Sequence, residues 1–321
     1  MNPLVVVVGS FVQDLTWQCA DFPQAGETVI GRFVTGPGGK GSNQAVAAGR
    51  AGAATLFIGA VGPDVFAGAA REFYAAEGIA ACFVAKPDHA TATAAILVNA
   101  AGQNEIVVAL GASAHLAPED VAPAALRGAR VVVCQHEASL ASNAHVFRLA
   151  RAAGAVTVLN PAPMRPDFDA AVLPLVDVLV PNESEFVALI NLRENRRPPA
   201  PPFTEAALRA LALGDLQRLC RTFGVATVIV TLGERGCFVS QAGGGTAIPA
   251  HTGMKVVDTT GAGDAFVGGF AAGLVRSGGD CLAAARHGTA VAALSVTRFG
   301  TAPSMPTQAE IERFLASQGV V

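Results

Sequence analysis

The chain is poor in charge and in aromatic rings. Charged residues make up 15% of its 321 residues and aromatics 6%, with one tryptophan and one tyrosine. A formal net charge of −3 gives no basic field for nucleic acid, and so few rings offer no evident surface on which bases would stack. Long hydrophobic runs are missing too. Although 51% of the residues are hydrophobic, no apolar run approaches the roughly 20 residues that span a bilayer, so the chain is expected to be soluble and to avoid membranes. Its opening run, Leu4-Val-Val-Val-Val8, is too short for a signal h-region and has no basic flank; a first buried strand is expected there. The cysteines (Cys19, Cys82, Cys134, Cys220, Cys237, Cys281) are widely spaced with no C-x-x-C pair, and the histidines are scattered, which disfavours a transition-metal site and fits a reducing cytoplasm. What remains is a chain long enough to bury a large core, with small molecules as its expected partners.

Short β-branched runs alternate with Ala-rich segments of helical length. Strands are expected near Leu4–Gly9, Thr55–Val61, Val131–Gln135, Val156–Asn160, Val178–Pro181, Val225–Thr231 and Cys237–Gln241, with helices such as Ser42–Ala51, Phe66–Glu77, Ser142–Ala153 and Glu205–Thr222 between them. Continuous apolar strands separated by helices imply an α/β fold, doubly wound, its mostly parallel sheet carrying helices on both faces. Val12–Cys19, Glu27–Val34, Thr91–Val98 and Asn104–Leu110 break the rhythm. They read as strands without helices, the last two joined by the turn Asn99-Ala-Ala-Gly-Gln103, and are expected to form a small β-sheet lid inserted at about 12–35 and 91–110 into one domain over 1–321. The exposed face and edge of such a lid are expected to pair with a second copy, giving a homodimer. The Pro-rich run Arg196-Arg-Pro-Pro-Ala-Pro-Pro202, within 191–213, cannot be regular structure and is expected to be an exposed loop.

Two glycine-rich segments carry chemistry. In Asp258-Thr-Thr-Gly-Ala-Gly-Asp264 the bare backbone of Gly261, Ala262 and Gly263 at a helix start would turn its N–H groups and the positive end of the dipole toward an anion. Asp264, beside such an anion, would be a poor phosphate ligand and is expected to remove a proton from an attacking hydroxyl. The segment alone equally describes a helix that merely starts sharply, but the apolar run Ala265–Val275 buries that helix, and an acid at the mouth of a buried helix is costly unless it is used or paired. In Thr35-Gly-Pro-Gly-Gly-Lys-Gly-Ser-Asn43, Gly38 and Gly39 would admit a polyol closely while Lys40 and Asn43 donate to its hydroxyls. The same glycines formally satisfy G-x-G-x-x-G, with Asp64 as a ribose acid, so an NAD-dependent dehydrogenase is a competing reading; it is weakened because the first strand does not lead straight into the glycines.

Five separated segments, Gly38–Gly52, Asn160-Pro-Ala-Pro163, Pro181-Asn-Glu-Ser-Glu185, Thr231-Leu-Gly-Glu-Arg-Gly236 and Asp258–Asp264, together resemble the ribokinases of the PfkB family of sugar and nucleoside kinases, in order and approximate spacing from Val5 to about Pro306. The resemblance implies an ATP-dependent kinase that transfers the γ-phosphate to a primary hydroxyl, with D-ribose to ribose 5-phosphate as the leading expectation and another sugar or a nucleoside as the alternative. It makes Asp264 the base and Gly261, Ala262 and Gly263 the anion hole, and places Asp14, Gly38, Gly39, Lys40, Asn43 and Glu137 around the sugar. Asn182, Thr231, Gly233, Gly236 and Thr289 are implied at the nucleotide, and Glu185 at Mg2+ through water. Asp258, Thr260, Ser295, Arg298, Gly300 and Ser304 are implied around a monovalent cation, expected to be K+. Two positions depart from the family. Val12 stands where the family has an asparagine two residues before the acid matching Asp14, which opens the identity of the sugar, and Thr289 replaces an asparagine near the adenine. A non-catalytic sugar or nucleotide sensor is disfavoured because base, anion hole and metal motif are all intact.

Overall fold

A computed structural model describes residues 4–193 and 202–318. Along the chain the elements are β1 (Val5–Val8), β2 (Val12–Gln18), β3 (Arg32–Gly38), α1 (Lys40–Arg50), β4 (Thr55–Val61), α2 (Val65–Glu77), β5 (Ala80–Ala85), β6 (Ala92–Val98), β7 (Asn104–Ala109) and α3 (Gly111–Ala114). There follow β8 (Val131–Cys134), α4 (Leu140–Ala152), β9 (Val156–Leu159), β10 (Val178–Leu179), α5 (Glu183–Arg193), α6 (Glu205–Ala210), α7 (Leu213–Arg221), β11 (Thr227–Thr231), β12 (Cys237–Gln241), β13 (Gly244–Ile248), α8 (Ala262–Arg276), α9 (Cys281–Ser295) and α10 (Gln308–Ser317).

The main sheet has nine strands in the order β13-β12-β11-β10-β9-β8-β1-β4-β5, parallel from β11 to β5 and closed at the other edge by the antiparallel β11-β12-β13 pairs. Its apolar strands do not alternate with polar residues because both faces are covered. Val6 and Val8 of β1 enter a core with Val146, Phe147, Leu189 and Leu216, whereas Val5 and Val7 face Ala45, Ala70, Phe266 and Phe270 on the other side. Helices therefore lie on both faces, as the alternation of strands and helices leads one to expect. Among the described residues no helix is long and apolar enough to cross a membrane.

The second sheet, the lid, has the order β3-β2-β6-β7. One of its strands lies further along than the Glu27–Val34 reading: β3 runs Arg32–Gly38, so the glycine segment is itself strand as far as Gly38. Pro37 is tolerated because β3 is an edge strand, and Gly38 because it pairs with Val12 where a side chain would find no room. One other expectation needs correction, and two strands are additions. The helix over 205–222 is two helices, α6 and α7, parted by extended backbone at Leu211 and Ala212. Strand β13, at the edge of the main sheet, is an addition, because Gly243, Gly244 and Gly245 carry little strand signal. Strand β5 is another, hidden in an Ala-rich run. The Pro-rich expectation over 196–201 lies outside the described residues.

Candidate active site

The proposed base sits where several strands of the main sheet end. Ser10 follows β1, Glu137 follows β8, Asn160 follows β9 and Asn182 follows β10, so their side chains gather beyond the carboxyl edge of the sheet, where open α/β sheets bind ligands. Helices α1 and α8 deliver the rest. Gly268 allows the approach: a Cβ there would lie 2.4 Å from the carbonyl oxygen of Gln44 and 2.5 Å from the Ala47 Cβ, so only glycine lets α8 rest on α1. Asp264 in the first turn of α8 consequently meets the first turn of α1. Its Oδ2 accepts from Asn43 Nδ2 at 2.9 Å and its Oδ1 from Gln44 Nε2 at 2.9 Å, and the residue is 6% exposed.

Helix α8 begins at Gly261, whose φ of 77° is left-handed, and no side chain caps it. The Ala262 N–H turns back to the Thr259 carbonyl at 3.2 Å, while the Gly263 and Asp264 N–H groups are left for a ligand, with the dipole behind them. A cavity of about 160 Å³ opens here, lined by Gly261, Ala262, Gly263 and Asp264 on one side and by Lys40, Asn182, Glu185, Thr231 and Asn160 on the other. The structure therefore brings together residues drawn from three of the expected roles: base and anion hole, Lys40 of the sugar set, and Asn182, Glu185 and Thr231 of the nucleotide and metal set.

The remaining residues expected around the sugar adjoin this cavity through hydrogen bonds and charge. Glu137 Oε2 accepts from Ser10 Oγ at 2.5 Å and from the Lys40 backbone N–H at 2.8 Å. Burial lowers the Lys40 pKa, but the Asp264, Glu137 and Glu185 carboxylates outweigh it and leave the ammonium held above its usual value. Asp14 experiences the opposite: burial first, then Glu137 and Asp264, push its carboxyl up to about 7. The glycines make room for these groups. A Cβ on Gly38 would lie 2.2 Å from Asp14 Oδ2, and one on Gly39, which has a φ of 91°, 2.7 Å from the Val12 backbone nitrogen. Val12 is 3% exposed, packed against Ala92, Ala94 and Ile96 at the root of the lid, with its Cγ2 3.0 Å from where that Gly39 Cβ would be. The wall beside the glycine pair is therefore apolar.

Glu185 does two things. Its carboxylate accepts from the Asn182 backbone and side-chain N–H groups at 2.9 and 3.0 Å, which closes the start of α5, and burial leads in holding its pKa up as it faces the cavity. Glu183, by contrast, is taken up in ion pairs with Arg209 and Arg235. Gly233 and Gly236 lie on the β11–β12 turn with left-handed φ, and Thr289 is buried on α9 with its hydroxyl on the Arg286 carbonyl; none of the three lines the cavity.

The residues assigned to a monovalent cation split. Asp258 joins two loops, accepting from the Thr260 N–H at 2.9 Å and the Gly300 N–H at 3.0 Å, while the Val257 and Asp258 N–H groups bond Val296. Ser295 and Ser304 each donate to a local carbonyl, which leaves their oxygens free to accept. Arg298 directs its guanidinium elsewhere, into a pair with Glu310. Thr301 then connects this loop to the site: a Cβ on Gly261 would lie 3.4 Å from Thr301 Cα, and the Thr301 hydroxyl donates to the Pro37 carbonyl at 3.3 Å.

Sequence reasoning missed Ser10, Gln44, Gln135 and Asn160. Asn160 and Gln44 stand in recognised segments, Asn160-Pro-Ala-Pro163 and Gly38–Gly52, without a role there; Ser10 and Gln135 are neutral residues with no spacing signature, and only the meeting of α1 and α8 with the ends of β1 and β8 exposes them. Asp64 is corrected: it caps α2 through the Ala67 N–H and holds the Thr91 N–H, so it is no ribose acid, and the glycines open α1 from lid strand β3 rather than from β1. The dehydrogenase reading falls with it.

This is the architecture of a sugar kinase, and residues 2–308 match the model of the pfkB family carbohydrate kinases. The chain belongs to that family. It is 37% identical over 316 residues to a ribokinase of Mus musculus, covering 96% of this chain and 93% of that one, and 34% identical to a deoxyribokinase of Salmonella typhi, covering 97% and 98%. Among solved structures it resembles a Giardia lamblia ribokinase (30% identity, TM-score 0.87, covering 99% and 100%) and an Arabidopsis thaliana ribokinase complexed with ribose and ATP (28%, 0.84, covering 98% and 99%). It is an ATP-dependent sugar kinase.

Proposed function

We propose that the chain phosphorylates the primary hydroxyl of a free pentose, with D-ribose to ribose 5-phosphate as the leading reaction and ATP as donor. The observation that carries this reading is the joint placement of Asp264 and the uncapped start of α8 on one cavity. The base and the donors for a phosphoryl group then lie within one helical turn. Asp264 takes the hydroxyl proton as that oxygen attacks the γ-phosphorus; the bond to the β-bridging oxygen breaks, and ADP leaves. The N–H groups from Gly261 to Gly263 and the Lys40 ammonium face the charge that develops on the transferring group. Asp14, Asn43 and Glu137 hold the sugar's other hydroxyls, and the lid closes over it to exclude water. Asn182, Thr231, Gly233, Gly236 and Thr289 serve the nucleotide.

Among the described residues no three His, Cys, Asp or Glu side chains cluster as a metal site. That suits Mg2+, which keeps its waters and the phosphates: Glu185 and Asn182 would hold it through water, and the ion would neutralise phosphate charge. Asp258, Thr260, Ser295, Gly300 and Ser304 offer oxygens for K+ beside the anion hole, whereas Arg298 would offer only its carbonyl. The exposed strand β7, with Ile106, Val107 and Val108, supports pairing of two lids in a homodimer, and six cysteines without a disulfide support a cytoplasmic setting.

Val12 favours a second reading, a 2-deoxypentose. A hydroxyl turned to the apolar wall at Val12 finds no partner, and one of the relatives is a deoxyribokinase. A coupled ADP-release assay over ribose, 2-deoxyribose, hexoses and nucleosides, with and without K+, decides. Val12→Asn should move the ribose to deoxyribose kcat/KM ratio about 5- to 150-fold toward ribose, the worth of one buried hydrogen bond. Turnover of a nucleoside with neither pentose accepted would sink both readings.

A further inference from the structure

We infer that Gln44 is a positioning residue for the proposed base: a chain of buried carboxamides, Gln135 to Gln44 to Asp264, fixes one carboxylate oxygen while Asn43 fixes the other. The inference rests on the reading of Asp264 as base. Gln44 is fully buried one position after Asn43 on α1. Its Nε2 has two hydrogens and each is used, one on Asp264 Oδ1 at 2.9 Å and one on Asn160 Oδ1 at 3.0 Å. Its Oε1 accepts from Gln135 Nε2 at 2.6 Å. The outer members are held in turn, Asn160 by donating from its side chain to the Val180 carbonyl at 2.8 Å and Gln135 through its backbone carbonyl, which accepts from Asn143 Nδ2 at 2.6 Å.

The polarity of this chain is dictated from its Asp264 end. An ionised carboxylate only accepts, so Gln44 must present its NH2 there and its carbonyl to Gln135. Gln135 must then present its own NH2, which leaves Gln135 Oε1 buried without a partner. A Cβ on Gly9 would stand 2.1 Å from that oxygen, so β1 is followed by a glycine where Gln135 must fit. An orphaned buried oxygen is unfavourable, and space filling alone would be served by an apolar side chain. The arrangement is explained if its purpose is to aim the carboxylate. Gln44 is fully buried and both hydrogens of its NH2 are already used, so it has none to offer a sugar hydroxyl, and its loss should act on the chemical step rather than on sugar binding.

The test is steady-state kinetics of the full chain, with sugar binding by calorimetry and thermal melting, on Gln44→Leu, Gln44→Glu, Gln135→Leu and the Gln44→Leu/Gln135→Leu double variant. Gln44→Leu should lower kcat about 10- to 100-fold and leave sugar KM and Kd within about threefold, since a small misplacement of a catalytic group costs rate on this scale. The double variant should lose no more than Gln44→Leu, because the two act in series. In Gln44→Glu, kcat should recover as pH falls from 8 toward 6 and the introduced carboxyl regains a hydrogen to donate, a direction in which the parent does not rise. This profile decides the matter even if Gln44→Leu does not fold. A kcat within about twofold of the parent, or equal losses in kcat and sugar affinity with no pH recovery, overturns the inference. Asp264→Asn run alongside separates the claims: if it keeps turnover the base reading fails, and if it loses turnover while the Gln44 variants keep theirs, only the positioning role fails.

Discussion

Replacing Asp14 by asparagine should stabilise the sugar-free protein at pH 8 and do so less at pH 5. Asp14 lies on β2 against Gly38, and burial, then the Glu137 and Asp264 charges, raise its pKa from 3.8 to about 7. Between those values the folded chain keeps a proton that the unfolded chain has released. The protonated carboxyl therefore favours the fold at low pH, and the advantage is lost as pH rises from 3.8 toward 7; above that the fold must carry an ionised, crowded carboxylate. The stretch from pH 5 to pH 7 takes up about two thirds of that interval, and at about 1.36 kcal/mol for each step of one in pH it is worth at most about 2.7 kcal/mol. Relaxation of the fold around the charge reduces the figure, so the variant should gain about 1 to 2.5 kcal/mol on the parent between pH 5 and 8. Urea denaturation of both proteins at the two pH values reads it directly. A parent-to-variant difference that is the same at both pH values within about 0.5 kcal/mol, the scatter expected of such measurements, would show that the fold does not raise this carboxyl. The complementary expectation concerns ligand: ionised Asp14 is the better acceptor for hydroxyls, so sugar affinity of the parent should rise through pH 7, and that rise should vanish in Asp14→Asn.

Other expectations follow from the packing. Gly39→Ala combines a left-handed φ with a Cβ 2.7 Å from the Val12 nitrogen, and should cost about 2 to 4 kcal/mol in denaturant unfolding together with most of the activity. Gly268→Ala should cost about 1 to 3 kcal/mol, and because it parts α8 from α1 it should lower kcat more than its melting shift implies. Arg50→Ala removes a half-buried pair with Glu77 at 2.6 Å and a bond to the Met305 carbonyl at 2.8 Å; a loss of about 1 to 2 kcal/mol without a change in sugar KM is expected. Asp258→Ala unties the 258–260 turn from Gly300, and any stimulation by K+ in the ADP-release assay should shrink at least tenfold relative to the parent.

What the sequence made legible is what depends on short-range pattern. The buried parallel strands were readable because Val-rich runs of four or five residues have one solution in a sheet covered on both faces, and the start of α8 was readable because Gly261 and Gly263 flank nothing bulky. Edges were not. Strand β13 opens on glycines and is held by pairing with β12 rather than by propensity, and β3 begins five residues later than expected because the lid's register is set by β2, whose Val12 must face Gly38. The site shows the same division. Charged and glycine-rich members announce themselves because few structural roles suit them, whereas Gln44, Gln135 and Asn160 acquire meaning only when α1, α8 and the ends of β8 and β9 meet. Val12 is the instructive case between the two. From sequence it marked a missing hydroxyl partner; in the fold it is also the residue on which β6 packs at Ala92 and Ala94. A polar side chain there would have to leave the lid's root underpacked, so sugar choice and lid seating are coupled through one side chain, and a substitution that widens substrate range at Val12 should also loosen closure.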